Sequence, residues 1–213
     1  MSGGARMDDI GAVILAGGES RRFGRNKPDA SWRGSTLLAR VLEALPAECA
    51  HRLLVTRAVQ PQPAAAAGCD QVVHDDPDAP PGPLRGLVRG LQACPTSWAW
   101  VVACDLPLLR PDLLRLLRRR AEPGDLAVVP RWQDRLQPLC ALYAREAAQA
   151  LAAAQAAGER TLRGAVATIG YRPLDESDLC RVDPRGLSFV NVNTPRELAA
   201  LADIARGGHE TEM

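Results

Sequence analysis

The stretch LAGGESRRFGRNK, Leu15 to Lys27, ends on the chain's single lysine. Every other basic residue in a Lys+Arg total of 26 is an arginine. Lysine is a compact ammonium that meets one phosphate oxygen end on, whereas arginine is a planar fork suited to paired acceptors. Ahead of Lys27, Gly17 and Gly18 remove two Cβ atoms, so that backbone N–H groups can approach a phosphate chain; Ser20, Arg22 and Lys27 add a hydroxyl and countercharge. These residue types in this order suit the phosphates of a nucleotide. The segment fits neither G-x-x-x-x-G-K-S/T nor G-x-G-x-x-G, so the common mononucleotide and dinucleotide fingerprints do not apply. A glycine turn carrying solvated arginines is the plain alternative.

Three further segments carry polar groups in suggestive places. VVACDLPLL puts Asp105 at the end of an apolar run, where Leu106-Pro107 stops a strand. A carboxylate there suits Mg²⁺, which takes one or two carboxylates together with phosphate oxygens and water. A turn or N-cap aspartate is the other reading. HDDPDAPPGPLRG, His74 to Gly86, sets Asp75, Asp76 and Asp78 before a Pro-Gly-Pro corner. Carboxylates can accept from the N1–H and N2 donors of guanine, although an acidic surface loop has the same composition. In SFVNVNTPREL, Asn191 and Asn193 alternate along an extended segment and so share a side, and Thr194-Pro195 opens a helix. Two such amides suit a polar substrate or backbone groups equally.

These residues need a scaffold, and the apolar pattern supplies one. Short runs at Ala12–Leu15, Leu53–Thr56, Gln71–Val73, Trp98–Cys104 and Leu126–Val129 predict buried strands. Between and after them, Thr36–Leu45, Pro83–Ala93, Pro111–Ala121, Glu146–Ala157 and Pro195–Ala205 predict helices, three opened by proline. The alternation predicts an α/β fold: a Rossmann-like, doubly wound, mostly parallel sheet with helices on both faces. A single domain is expected over residues 9–205, with flexible termini at 1–8 and 206–213. Gln60–Gly68 (QPQPAAAAG) is expected to be a permissive surface loop. In open α/β sheets ligands gather at the carboxyl ends of the strands, where the singled-out residues fall.

Bulk properties narrow the class. The 213 residues suffice for one sizeable core, and a net charge of +1 offers no electrostatic reason for a nucleic-acid or membrane partner. The apolar runs are too short to span a bilayer, and the first residues lack a signal-peptide layout, so a cytoplasmic protein is expected. Six scattered cysteines, with no C-x-x-C and no Cys/His pair at metal-ligand spacing, are expected to be reduced.

Taken in order, LAGGESRRFGRNK, GPLRG, VVACDLPLL and FVNVNTPREL resemble the molybdenum cofactor guanylyltransferase family over nearly the whole chain, from Ala12 to about Leu201. The first motif is shared by many nucleotidyltransferases. GPLRG and VNVNTP are narrower, and cytidylyl-transferring relatives usually differ at GPLRG, which points to GTP. The resemblance implies transfer of GMP from GTP to molybdopterin cofactor with release of pyrophosphate, Mg²⁺ as cofactor, and transient contact with other cofactor-synthesis proteins or recipient enzymes. It implies that Leu15, Ala16 and Gly17, with Gly18 beside them, hold the nucleotide, and that Lys27 contacts its phosphates. Thr56 and Asp75 would lie at the nucleotide, and Asp105 would bind both Mg²⁺ and GTP. Lys27, Arg22 and Asp105 are the implied catalytic set; Asp134–Tyr143, Gly158–Arg163, Asn191 and Asn193 would face the pterin. Pro28-Asp29 departs from the pattern: proline favours an extended Lys27, and a carboxylate near phosphates repels them. The rival readings are transfer to another acceptor or from CTP, a GTP-binding module without turnover, and an NAD oxidoreductase.

Overall fold

The computed structural model describes residues 10–17, 26–58 and 60–206. Its elements run β1 (Ile10–Leu15), a 3-10 turn (Lys27–Asp29), β2 (Ser31–Trp32), β3 (Ser35–Thr36), α1 (Leu37–Glu43), β4 (His51–Thr56), a second 3-10 turn (Ala64–Gly68), β5 (Gln71–His74), α2 (Pro83–Ala93), β6 (Trp98–Ala103) and α3 (Pro111–Arg120). They continue with β7 (Ala127–Trp132), β8 (Arg135–Leu136), β9 (Cys140–Ala144), α4 (Ala147–Ala156), α5 (Leu162–Ile169), β10 (Arg172–Leu174), α6 (Glu176–Leu179), a third 3-10 turn (Leu187–Phe189) and α7 (Pro195–Arg206).

The main sheet has the order β10-β7-β9-β6-β1-β4-β5, with β8 paired to β7. β1 is parallel to both β4 and β6, β4 to β5, and β7 to β10. β9 runs antiparallel between β6 and β7. The sheet is thus the expected doubly wound one with an antiparallel strand inserted. That strand escapes a pattern reading because CALYA is short and buried on both faces, so it shows no alternation. Thr36 is a cap rather than a helical residue: its Oγ1 accepts a hydrogen bond from Ala39 N at 3.1 Å.

Alternate residues of β1 explain the two layers of helices. Ala12 and Ile14 join one cluster with Leu38 and Val41 of α1 and Leu113, Leu114 and Leu117 of α3. Val13 faces the other way, toward Leu87 and Leu91 of α2, Leu151 of α4 and Val166 of α5. Each fully buried leucine contributes roughly 1.5–3 kcal/mol. Helix α2 lies so close on the sheet that a Cβ at Gly90 would stand 2.3 Å from Val13 Cγ1. A third, smaller cluster of Ala30, Trp32, Leu37, Val192, Leu198 and Leu201 ties α7 to the β2-β3 hairpin. It brings residues 26–30 and 190–193 to the same end of the sheet.

The chain passes from β1 outward to β4 and β5, then returns to place β6 on the other side of β1. β1 and β6 are thus neighbours whose succeeding strands, β4 and β7, lie on opposite sides of the pair, which makes their carboxyl ends the switch point at which open α/β sheets bind ligands.

Candidate active site

At these carboxyl ends lies a cavity of about 570 Å³, lined among others by Leu15, Ala16, Gly17, Lys27, Asp75, Arg85 and Asp105. The strand ladders extend to its floor, with Ala16 N donating to Val55 O at 2.8 Å and Cys104 N to Leu15 O at 3.0 Å. A Cβ on Gly17 would lie 3.4 Å from Arg57 Cγ and 3.5 Å from an Asp75 carboxylate oxygen, so the glycine keeps this wall open.

Lys27 and Asp105, 78 residues apart, meet here. Lys27 Nζ donates to Asp105 Oδ2 at 2.6 Å and to Asn193 Oδ1 at 3.0 Å. Both charged side chains are only about one-seventh exposed, at 14% and 15%. Asp105 Oδ1 is buried and receives no hydrogen bond from the described residues. Val192 N donates to the Asp105 carbonyl at 3.1 Å, which fixes the Asn193 segment against the end of β6. Burial pushes the neighbouring Cys104 thiol up to about 12, so it stays neutral and adds no charge beside Asp105.

The placement of Lys27 rests on a brace. Lys27 does not stay extended before Pro28; it opens a 3-10 turn closed by Asp29 N to Asn26 O at 3.1 Å and Ala30 N to Lys27 O at 3.0 Å. These bonds outweigh the pre-proline preference, which is a bias rather than a prohibition. Asp29 points away from a repulsive role: its Oδ2 accepts from Asn26 Nδ2 at 2.7 Å and its Oδ1 from Ala64 N at 2.8 Å. Gln60 Nε2 donates to Asn26 Oδ1 at 2.6 Å. Residues 60–68 are accordingly a support for the lysine turn as well as a surface loop.

The comparisons with known proteins agree with this geometry. The MobA-like NTP transferase domain matches residues 12–172. The chain belongs to that family. It is 31% identical over 193 residues to the molybdenum cofactor guanylyltransferase of Desulfosudis oleivorans, covering 90% of this chain and 94% of the relative. Among solved structures, the molybdopterin-guanine dinucleotide biosynthesis protein A of Archaeoglobus fulgidus superposes with a TM-score of 0.76 at 26% identity, over 92% of this chain and 97% of that one. The 2-C-methyl-D-erythritol 4-phosphate cytidylyltransferase of Thermus thermophilus shares the fold, with a TM-score of 0.66 at 18% identity, over 92% and 99% of the two chains. The protein is thus a nucleotidyltransferase by family and fold.

In this transferase Leu15, Ala16, Gly17, Lys27, Asp75 and Asp105 gather at one cavity. Gly18 and Arg22 lie outside the described residues. Thr56 is not brought to the cavity: it is buried, with Oγ1 3.0 Å from the His74 ring nitrogen Nδ1, while its neighbours Val55 and Arg57 form the wall. Asn191 and Asn193 are both exposed, and Asn193 reaches Lys27. In Asp134–Tyr143, Leu139 lines the cavity but Tyr143 is buried and donates to Pro138 O at 2.9 Å. Gly158–Arg163 leads into the start of α5. Glu159 Oε1 accepts from Thr161 N at 2.6 Å, and Thr161 Oγ1 accepts from Gly164 N at 3.0 Å to cap α5.

Sequence reading missed the brace residues Asn26, Asp29 and Gln60, and it missed Arg85. Arg85 Nε donates to Asp75 Oδ2 at 2.7 Å. The charged residue inside GPLRG was the available signal, because an arginine on the first turn of a helix opposes the helix dipole and needs a carboxylate nearby.

Proposed function

We propose that the protein transfers GMP from GTP to molybdopterin cofactor, forming the guanine dinucleotide and releasing pyrophosphate. The observation that carries this reading is the meeting of Lys27 and Asp105 at the switch-point cavity, with Asp75 on the same wall. The chain's similarity to guanylyltransferases supports the choice of substrates. Six cysteines without a disulfide suit a reducing cytoplasm, and no described helix is long and apolar enough to cross a membrane.

The chemistry needs no protein nucleophile. The terminal phosphate of the pterin substrate attacks the α-phosphorus of GTP in line, and the bond to the bridging oxygen of pyrophosphate breaks. Lys27 balances the negative charge that builds on the phosphate oxygens, and the Lys27 turn and the segment after β1 hold the triphosphate in place. Asp105 is suited to Mg²⁺, because its Oδ1 is buried without a hydrogen-bond donor and Asn193 offers a second oxygen nearby. Among the described residues no group of three or more His, Cys, Asp or Glu side chains gathers, so the remaining ligands would be phosphate oxygens and water. When bound, the ion would neutralise phosphate charge and polarise the α-phosphate.

The test is thermal stabilisation by GTP, CTP, ATP and NAD, each with and without Mg²⁺, followed by dinucleotide formation from GTP and molybdopterin. A ligand at a hundred times its Kd adds about 2.7 kcal/mol. A GTP-selective, Mg²⁺-dependent shift that disappears in Asp105→Ala is expected. An equal response to CTP, or product formation only with a sugar phosphate, would overturn the assignment.

A further inference from the structure

The sequence TPRE, Thr194 to Glu197, has the spacing of a capping box, in which the carboxylate of the fourth residue returns to the N–H of the first. One half of that box forms. Glu197 N donates to Thr194 Oγ1 at 3.1 Å, and Leu198 N to Thr194 O at 3.0 Å starts the α7 ladder. The other half is displaced by one residue: Glu197 Oε2 accepts the backbone N–H of Asn193 at 2.6 Å, ahead of the cap. Asn193 is exposed, so water can satisfy that N–H and burial does not force the contact. What the bond adds is order, at the residue whose side chain reaches Lys27.

The surroundings make that order consequential. The preceding residue is held from within. Val192 N donates to Asp105 O at 3.1 Å, and the Val192 side chain is fully buried with Ala30, Trp32, Leu37, Leu198 and Leu201. Ala30 directly follows the Lys27 turn, so α7 and that turn rest on one apolar cluster. Asn193 is the first residue to leave the cluster, and Glu197 steadies its backbone there. Asn193 Oδ1 then accepts from Lys27 Nζ at 3.0 Å, alongside the shorter bond from Lys27 to Asp105 at 2.6 Å. A charge pair alone leaves an ammonium on a four-carbon stem several directions of approach, and a second, fixed acceptor selects one.

We propose that Glu197 is a positioning residue for the transfer: by holding the Asn193 backbone it fixes the amide oxygen that orients the Lys27 ammonium. This rests on the reading of Lys27 as the group that meets the phosphates, and extends it to a carboxylate that does not line the cavity. Without Glu197, Lys27 keeps its charge-assisted bond to Asp105 and loses the one that aims it. An acidic residue in a first helical turn also suits the helix dipole. That merely stabilising role predicts a different set of responses.

Lys27 supplies its own probe, because isotope-labelled lysine marks one side chain in this sequence. The full chain is compared as wild type, Glu197→Ala, Glu197→Gln, Thr194→Ala, Asn193→Ala and the Asn193→Ala/Glu197→Ala double variant. The readouts are NMR of the Lys27 ε-methylene, pyrophosphate release with GTP, Mg²⁺ and molybdopterin, and melting temperature. Glu197→Ala is expected to move the Lys27 resonance in the direction that Asn193→Ala moves it, and to lower kcat about tenfold with KM for GTP within about twofold. Glu197→Gln, whose amide oxygen still accepts the Asn193 N–H, should restore both. Thr194→Ala removes the N-cap and should lower Tm by about 2–4 °C while leaving the resonance and kcat as in wild type. The double variant should be no slower than Asn193→Ala, since the two residues act in series. An unmoved resonance or a wild-type kcat in Glu197→Ala overturns the inference. A Thr194→Ala variant that reproduces the Glu197→Ala losses overturns it as well, because the cap alone then explains them. The transfer reading is judged separately: a wild type that releases no pyrophosphate refutes it, and the NMR series still decides whether Glu197 positions Lys27.

Discussion

Replacing Lys27 by arginine preserves the charge and alters the shape, so it separates electrostatics from fit. Lys27 Nζ sits between Asp105 Oδ2 at 2.6 Å and Asn193 Oδ1 at 3.0 Å, in a site where the lysine is 14% exposed. A guanidinium can retain the pairing with Asp105, so the buried carboxylate keeps a countercharge and the large cost of orphaning it does not arise. The added bulk costs about 1–3 kcal/mol if the walls cannot yield. For a chain of this length each 1 kcal/mol lowers Tm by about 2–4 °C. The transition state is more demanding. A planar fork cannot swing as a point charge from Asp105 to a phosphate oxygen, and loss of one donor to developing charge costs about 10²-fold or more in kcat. The expected result is a fall of about a hundredfold in single-turnover pyrophosphate release with GTP and molybdopterin, with the Tm loss confined to the packing cost. Normal turnover in the arginine variant would refute the argument. A collapse of the melting transition in step with activity would refute it equally, since the lysine would then be structural.

Other substitutions probe the support. Asp29→Ala removes the acceptor for Asn26 Nδ2 and Ala64 N; kcat should fall about tenfold with a stability loss near 1–2 kcal/mol, and unaffected turnover would show that the brace does not position Lys27. Gly90→Ala should destabilise by about 1–3 kcal/mol through the 2.3 Å approach to Val13, whereas Gly86→Ala should melt like wild type and bind GTP more weakly, as read by denaturant midpoints and calorimetry. Cys104 makes a pH prediction. Its folded thiol is pushed up to about 12 from an ordinary value of 9.0. Between those values the unfolded thiol ionises while the folded one stays protonated, so the stability it contributes is intact below pH 9 and declines toward pH 12, by about 1.4 kcal/mol per pH unit at most. Cys104→Ala should flatten that part of the urea-denaturation profile, and an identical slope would count against it.

Much of the architecture is legible in local pattern. Runs such as AVIL and WAWVVAC are apolar on both faces because their strands are covered by helices on both sides, and the helix starts at Pro83, Pro111 and Pro195 are marked by a residue whose fixed φ and missing N–H suit the first turn. Lys27 and Asp105 stand out because residue type and position after a strand are both sequence properties. What tertiary structure decided was pairing. That β9 enters antiparallel, that Thr56 turns to His74 rather than into the cavity, and that Arg85 seizes Asp75 depend on neighbours chosen in space. Asp29 is the clearest case: its composition beside a phosphate loop suggests repulsion, yet Asn26 and Ala64 capture both of its oxygens and make it a strut. A sequence records which groups can donate and accept, but hydrogen bonds fall off within a few tenths of an ångström, so only the folded chain decides which of them meet.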